Sequence, residues 1–214
     1  MDKNTAIKRL LIFCGRRPPT ANDSSAEGQV AGVYLDEANL DIQIKGWPEN
    51  TETRVELTRD ANNELTDAEL NVGGVTTIAV RGVGESTHLG LIRRGTKLFW
   101  RDPSITTGSQ WTSVFDGDPV VERIILLDFE DLSQAMADYV VMAAAGAYFD
   151  NQLKYTREDD RFGPARIRAR ITQRFLEAKA TAEQTEAQIE MGSLLDNPWA
   201  QRIRGRRRGY SLLS

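Results

Sequence analysis

Apolar positions at the start of the chain recur with helical spacing. Ile7, Leu10, Leu11 and Cys14 follow i, i+3, i+4, i+7, which predicts a helix with one buried face, N-capped by Asn4 or Thr5 and stopped at Gly15. RRPPTANDSS breaks the pattern. A second amphipathic helix is predicted over about Ala26–Lys45, with Ala31, Leu35, Ala38 and Ile42 on its inner face and Tyr34 beside them. GWPEN closes it, because Pro48 cannot continue a helix and disfavours one just before it.

Between about Thr51 and Asp128 the period shifts towards two. The runs RVEL, TTIAV, KLFW and VVERIILL are separated by NVGG, RGVGES, RRG and DGDP, the pattern of a small antiparallel β unit. Gly73, Gly74, Gly82 and Gly84 are expected in turns that need positive φ. Helical spacing returns in LLDFEDLSQAMADYVVMAAAGAYF, where Leu132, Ala135, Met136, Tyr139, Ala143 and Ala147 share a face. The small residues of Ala143–Ala147 admit a close helix neighbour. Gly163 and Pro164 introduce a last helix to about Ile189. Ile167, Ile171 and Phe175 give its early part an inner face, whereas EAKATAEQTEAQIE has helix propensity without large apolar groups and is expected to face solvent or a neighbouring subunit.

The predicted fold class is α+β, mainly α: residues 1–50 and 129–190 form a helical bundle, residues 51–128 an inserted β domain, and residues 191–214 an extended C-terminal arm. At 214 residues the chain is long enough to bury a sizeable core. Charge then changes the picture, because it is unevenly placed. Residues 192–214 hold five Arg and one Asp. Of the chain's 27 basic and 31 acidic residues the remainder therefore holds 22 and 30, near −8, against about +4 for the tail. No apolar run approaches the roughly 18 residues of a membrane span, and the polar start lacks a signal-peptide core, so synthesis in the cytoplasm and no membrane partner are expected.

Candidate chemistry is sparse. Cys14, the one cysteine, sits in an apolar helical pattern and is expected to be a buried, inert thiol. The one histidine, His88, stands among turn residues, and metal sites built on several His or Cys are excluded by count. RGVGE lacks the phosphate-loop pattern. Glu158, Asp159 and Asp160 suit a helix start. No catalytic, cofactor or metal site is assigned, and no enzyme is expected. The arm is the exception. Trp199, Tyr210, Leu212 and Leu213 bracket Arg202, Arg204, Arg206, Arg207 and Arg208, and a purely electrostatic tail needs no such apolar groups. The arm therefore points to docking on an acidic protein partner. DNA binding or channel plugging through the arginines is the alternative.

Five stretches together resemble the tail tubular protein A family, the head-to-tail adaptors of short-tailed phages. They are TAIKRLLIFCGRRPP, IQIKGWPENTE, GTKLFWRDPSITT, the segment Leu126–Phe149 and the Leu-Leu tail. Ser133 stands where many members carry Pro, and RIRGRRRG is more basic than the family pattern, which leaves open contact with DNA as well as protein. The resemblance implies a virion protein of the neck, assembled as a homo-oligomer, a twelve-membered ring. Its implied partners are the portal protein above, the tail nozzle protein below and genomic DNA passing through its channel. It also implies that the arm residues Trp199, Arg202, Arg204, Arg206, Arg207, Arg208, Tyr210, Leu212 and Leu213 meet the portal. Within such a ring Arg166, Arg170 and Arg174, with Glu177, Glu183 and Glu186, are expected at the subunit interface as complementary charges on the last helix.

Overall fold

A computed structural model describes residues 1–16, 25–71, 73–83, 90–106, 108–153 and 163–196. Two helices, α1 (Lys3–Phe13) and α2 (Ala26–Gln43), precede the β unit. That unit contains β1 (Thr51–Glu56), a short helix α3 (Asp67–Leu70), β2 (Thr76–Gly82), β3 (Leu91–Arg94), β4 (Lys97–Arg101), β5 (Trp111–Thr112) and β6 (Val120–Leu126). Two further helices follow, α4 (Gln134–Tyr148), extended by a π turn over Phe149–Leu153, and α5 (Pro164–Asp196). The fold is mainly α within the α+β class.

The helical core is built around α4. Met136, Ala137, Tyr139, Val140, Val141, Met142, Ala144, Ala145 and Tyr148 are buried on nearly every side, because α1, α2 and α5 all pack against this helix. The single-face expectation for α4 therefore fails: Ala147 is exposed, while Val140 and Val141, outside the predicted face, are buried. The small residues near its end do admit a close neighbour, since a Cβ on Gly146 would lie 3.4 Å from the guanidinium of Arg168 and 3.9 Å from Ile171 on α5. Leu10 and Leu11 of α1 and Ala31, Leu35, Ala38 and Ile42 of α2 complete the cluster as the spacing predicts.

Local chemistry sets the helix ends. Asp2, rather than Asn4 or Thr5, caps α1: its carboxylate accepts the Thr5 backbone N–H at 2.9 Å and the Thr5 hydroxyl at 2.6 Å, and Asn4 and Thr5 fall inside the first turn. Those hydrogen bonds from Thr5 hold the Asp2 carboxyl below its ordinary pKa. Gly15 closes the same helix at φ +74, with Gly15 N–H donating to Ile12 O and Arg16 N–H to Leu11 O, the paired bonds of a Schellman end. Ser133 Oγ accepts the Met136 N–H at 3.3 Å and starts α4. α5 runs to Asp196 rather than to about Ile189, so the first six residues of the expected arm are helical. Residues 190–196, EMGSLLD, contain no proline, and the first one that would break the helix is Pro198.

Both sheets are antiparallel and three-stranded, ordered β1-β6-β2 and β3-β4-β5. Gly82 pairs with Val121 as the last residue of β2 and is strand, not turn, whereas Gly73 and Gly74 have φ +87 and +79 as predicted. Gly84 and His88 lie outside the described residues. A second apolar cluster, Leu57, Leu65, Leu70, Leu98, Phe115 and Val121, lies within the β unit. Sequence reading missed α3, although Thr66-Asp67-Ala68-Glu69 carries the capping-box signature. Thr66 Oγ1 accepts the Ala68 N–H at 3.3 Å, and Glu69 accepts the Thr66 N–H at 2.8 Å.

Helix and sheet meet at a knot of buried amides. Gln43, at the end of α2, donates to Leu127 O at 2.9 Å and accepts the Leu127 N–H at 2.8 Å, so one side chain satisfies both backbone groups just past β6. Asn39 adds a bond to Leu127 O and accepts one from Gln43. Asn50 donates to Gln43 O at 3.0 Å and Ile125 O at 2.9 Å and accepts the Trp47 N–H at 2.8 Å. The turn between is forced by Gly46, at φ +76, where a Cβ would stand 2.8 Å from Ile124 Cδ1.

Gln43→Ala strands the Leu127 N–H in the interior and should cost about 2 to 4 kcal/mol of folding free energy, measured by urea denaturation. Cys14 gives a second test. Its thiol donates to Ala145 O at 3.4 Å, and burial pushes its pKa up from 9.0 to about 12. Below pH 9 the thiol is protonated both folded and unfolded; above it the unfolded chain gives up the proton first, so stability falls as pH rises towards 12. A thiol reagent at pH 8 should label Cys14 only on unfolding. Prompt labelling of the native protein would contradict this burial.

Candidate interaction surfaces

All six residues expected at a subunit interface lie on α5, but they do not form one face. The buried stripe of this helix runs Ile171, Phe175, Ala178, Ala182, Glu186, continuous at steps of three and four residues. Glu186 is thus only 6% exposed and faces the body instead of a neighbour, and the Ala-rich half of α5 is not wholly solvent-facing. The stripe was hidden in sequence because Ala and Glu carry no apolar signal. Arg174 pairs with Glu177 at 3.1 Å, and Glu177 also accepts from Gln173 at 2.9 Å. Glu183 pairs with Lys179 at 3.7 Å. Arg170 donates to Phe13 O at 2.8 Å, and Arg168 pairs with Asp150 at 2.7 Å, so both tie α5 to the bundle. Arg166 is exposed and has no ion-pair partner among the described residues.

The groove between α1, α4 and α5 is lined by Arg9, Phe13, Asp138, Met142, Arg174 and Glu177. Its charges close on one another, Arg9 on Asp138 at 2.5 Å and Arg174 on Glu177. On the β unit the outer face of β3-β4-β5 carries Ile92, Arg94, Phe99, Arg101 and Trp111, and the Arg94 guanidinium lies 5.6 Å from the Phe99 ring centre and 5.1 Å from that of Trp111. On α2 the outward face carries Val30, Val33 and Leu40, followed by Ile44 at the C-cap, all between 36% and 55% exposed. Sequence reading saw only the inner face of this helix. The outer apolar residues were legible at the same three-and-four spacing, but the lack of a free side left no reason to separate them from the core.

Trp199, Arg202, Arg204, Arg206, Arg207, Arg208, Tyr210, Leu212 and Leu213 lie outside the described residues, as do Glu158, Asp159 and Asp160. Among the described residues no group of three or more His, Cys, Asp or Glu is arranged to hold a metal ion, and no helix is long and apolar enough to cross a membrane.

A subunit with a packed helical centre and apolar and charged side chains displayed outwards has the features of an assembly protein. The family model described as tail tubular protein matches residues 5–192, and the chain belongs to that family. It is thereby a structural protein of a phage tail, from a family that is structural rather than enzymatic. No curated protein matches the chain.

The bonds on α5 separate two arginines that look alike in sequence. Arg170→Glu loses the bond to Phe13 O and should destabilise the monomer by about 1 kcal/mol. Arg166→Glu places a carboxylate in the first turn, where the helix dipole favours it, and should change stability by less than about 0.5 kcal/mol. Thermal unfolding of the two variants checks the difference.

Proposed function

We propose that this tail protein is the head-to-tail adaptor, a ring of twelve copies seated between the portal and the tail nozzle and forming part of the DNA exit channel. Membership of the tail tubular protein family over residues 5–192 carries this reading. In it the helical segments 1–50 and 129–190 act as one bundle, residues 51–128 as an inserted β domain, and the tail beyond α5 as the portal-binding arm. Arg166, Arg170, Arg174, Glu177 and Glu183 serve the contacts between subunits.

The division of charge supports the assignment of the arm. A tail near +4 suits an acidic surface on a partner, and Trp199 and Tyr210 supply the apolar anchors that make such contacts persist in salt. Twelve arms binding together would turn individually weak contacts into a lasting joint. DNA binding through the same arginines would instead weaken linearly on a log–log plot against salt, with a slope set by the number of phosphates met.

Deletion of residues 197–214 leaves α5 whole and should give a folded protein that no longer attaches to portal-bearing heads. Native mass of the full-length and truncated proteins, alone and with such heads, tests this: the full-length chain should be recovered as a ring on the heads and the truncated chain should not. Attachment of the truncated chain at unchanged strength would remove the arm from the interface.

A further inference from the structure

The outward face of α2 is an exposed apolar surface without a partner among the described residues. Val30, Val33, Glu37, Leu40 and Ile44 step by three and four residues, which places them within an arc of about 80°. The opposite face of the same helix, Ala31, Leu35, Ala38 and Ile42, already fills the core, so nothing within the bundle needs the outer one. Glu37 lies inside this seam and Asp41 at its edge, both exposed and without an ion-pair partner among the described residues. Asp36 and Glu27, in contrast, are turned to Lys3 and Arg16. Whatever covers the seam must bring apolar groups for the valines and leucine and a cation for Glu37, because a carboxylate buried there unpaired would cost more than the apolar contact returns.

The chain displays such a surface on α5. Leu176, 58% exposed, stands on the outward face among Ala169, Thr172 and Ala180, and the exposed Arg166 borders that row on one side. α2 and α5 each pack chiefly on α4 rather than on each other, which sets the acidic seam and the Leu176 face on separate helices of the subunit. A single molecule cannot bring them together. Two α2 seams meeting each other would set Glu37 and Asp41 against like charges.

We infer that the α2 seam of one copy receives the Leu176 face of α5 from the next, with Glu37 and Asp41 opposite Arg166. The inference rests on the ring reading above and supplies the half of the interface that reading leaves undefined. The contact is head-to-tail, so each subunit keeps one seam and one Leu176 face free until the ring closes.

Two variants test it, V33E/L40E on the seam and L176E on α5. All three positions are exposed, and unchanged circular dichroism melting would show that both variants fold. Sedimentation is measured for each variant and for their equimolar mixture, at concentrations where the wild type forms rings, with portal-bearing heads as seed if it needs them. Each variant alone should lose self-association by at least about tenfold. The mixture should give a one-to-one heterodimer and nothing larger, since only one intact seam and one intact α5 face remain. Rings from the seam variant, or dimers of the α5 variant alone, would overturn the pairing while leaving the ring intact. A seam variant that self-assembles normally but fails to attach to heads would assign the seam to another virion protein and likewise overturn it. Wild-type protein that never self-associates, with or without heads, would defeat the ring reading itself.

Discussion

Three buried amides, Asn39, Gln43 and Asn50, hold the chain where helix gives way to strand. Leu127, leaving β6, and Trp47, entering the turn before β1, would otherwise lose water without gaining a partner, and an unsatisfied backbone group in the interior costs more than a hydrogen bond returns. Gln43 meets both polar groups of Leu127 at once, and Asn50 reaches back to Ile125 and Gln43. Strands β1 and β6 therefore enter and leave the helical part side by side. That arrangement allows a long β segment to sit between two halves of a bundle without opening the core. Gly46 is the steric counterpart of the same joint, since its positive φ and the nearby Ile124 leave no space for a side chain.

With the joint closed, α4 can be the centre of the helical part. It touches α1, α2 and α5, so little of it faces outward and its small residues admit α5 closely. The flanking helices carry most of the exposure. One presents an apolar seam with embedded acids and the other a row of arginines beside a protruding leucine. The division follows from position, because a helix on the outside of a bundle needs only one apolar stripe and its remaining surface is available for assembly. For a tail protein this separates the residues that keep the subunit folded from those that can join it to others.

Arginines on α5 show how the two duties overlap. Arg168 and Arg170 spend their donors on Asp150 and on the Phe13 carbonyl, and Arg174 on Glu177, while Arg166 remains unclaimed among the described residues. Spacing along a helix cannot separate these roles. All four positions read as one basic stretch; the proximity of α1 and of the π turn after α4 sets Arg170 and Arg168 apart, while Arg174 meets Glu177 on its own helix.

The sequence by itself determined the order and type of the long elements, the inner faces of α1 and α2, the Gly15 stop and the uneven charge. Each depends on neighbours within about one helical turn, where spacing and residue type suffice. The short helix α3 was equally legible from Thr66 and Glu69. Tertiary structure alone decided that α4 is buried on nearly every side, that Glu186 turns inward and that Gly82 ends a strand. It alone made Gln43, a polar residue with no signal in the pattern, the hinge of the fold. These outcomes depend on groups brought together from distant parts of the chain, such as Gln43 and Leu127, and no local period encodes which backbone group will need a partner once water is gone.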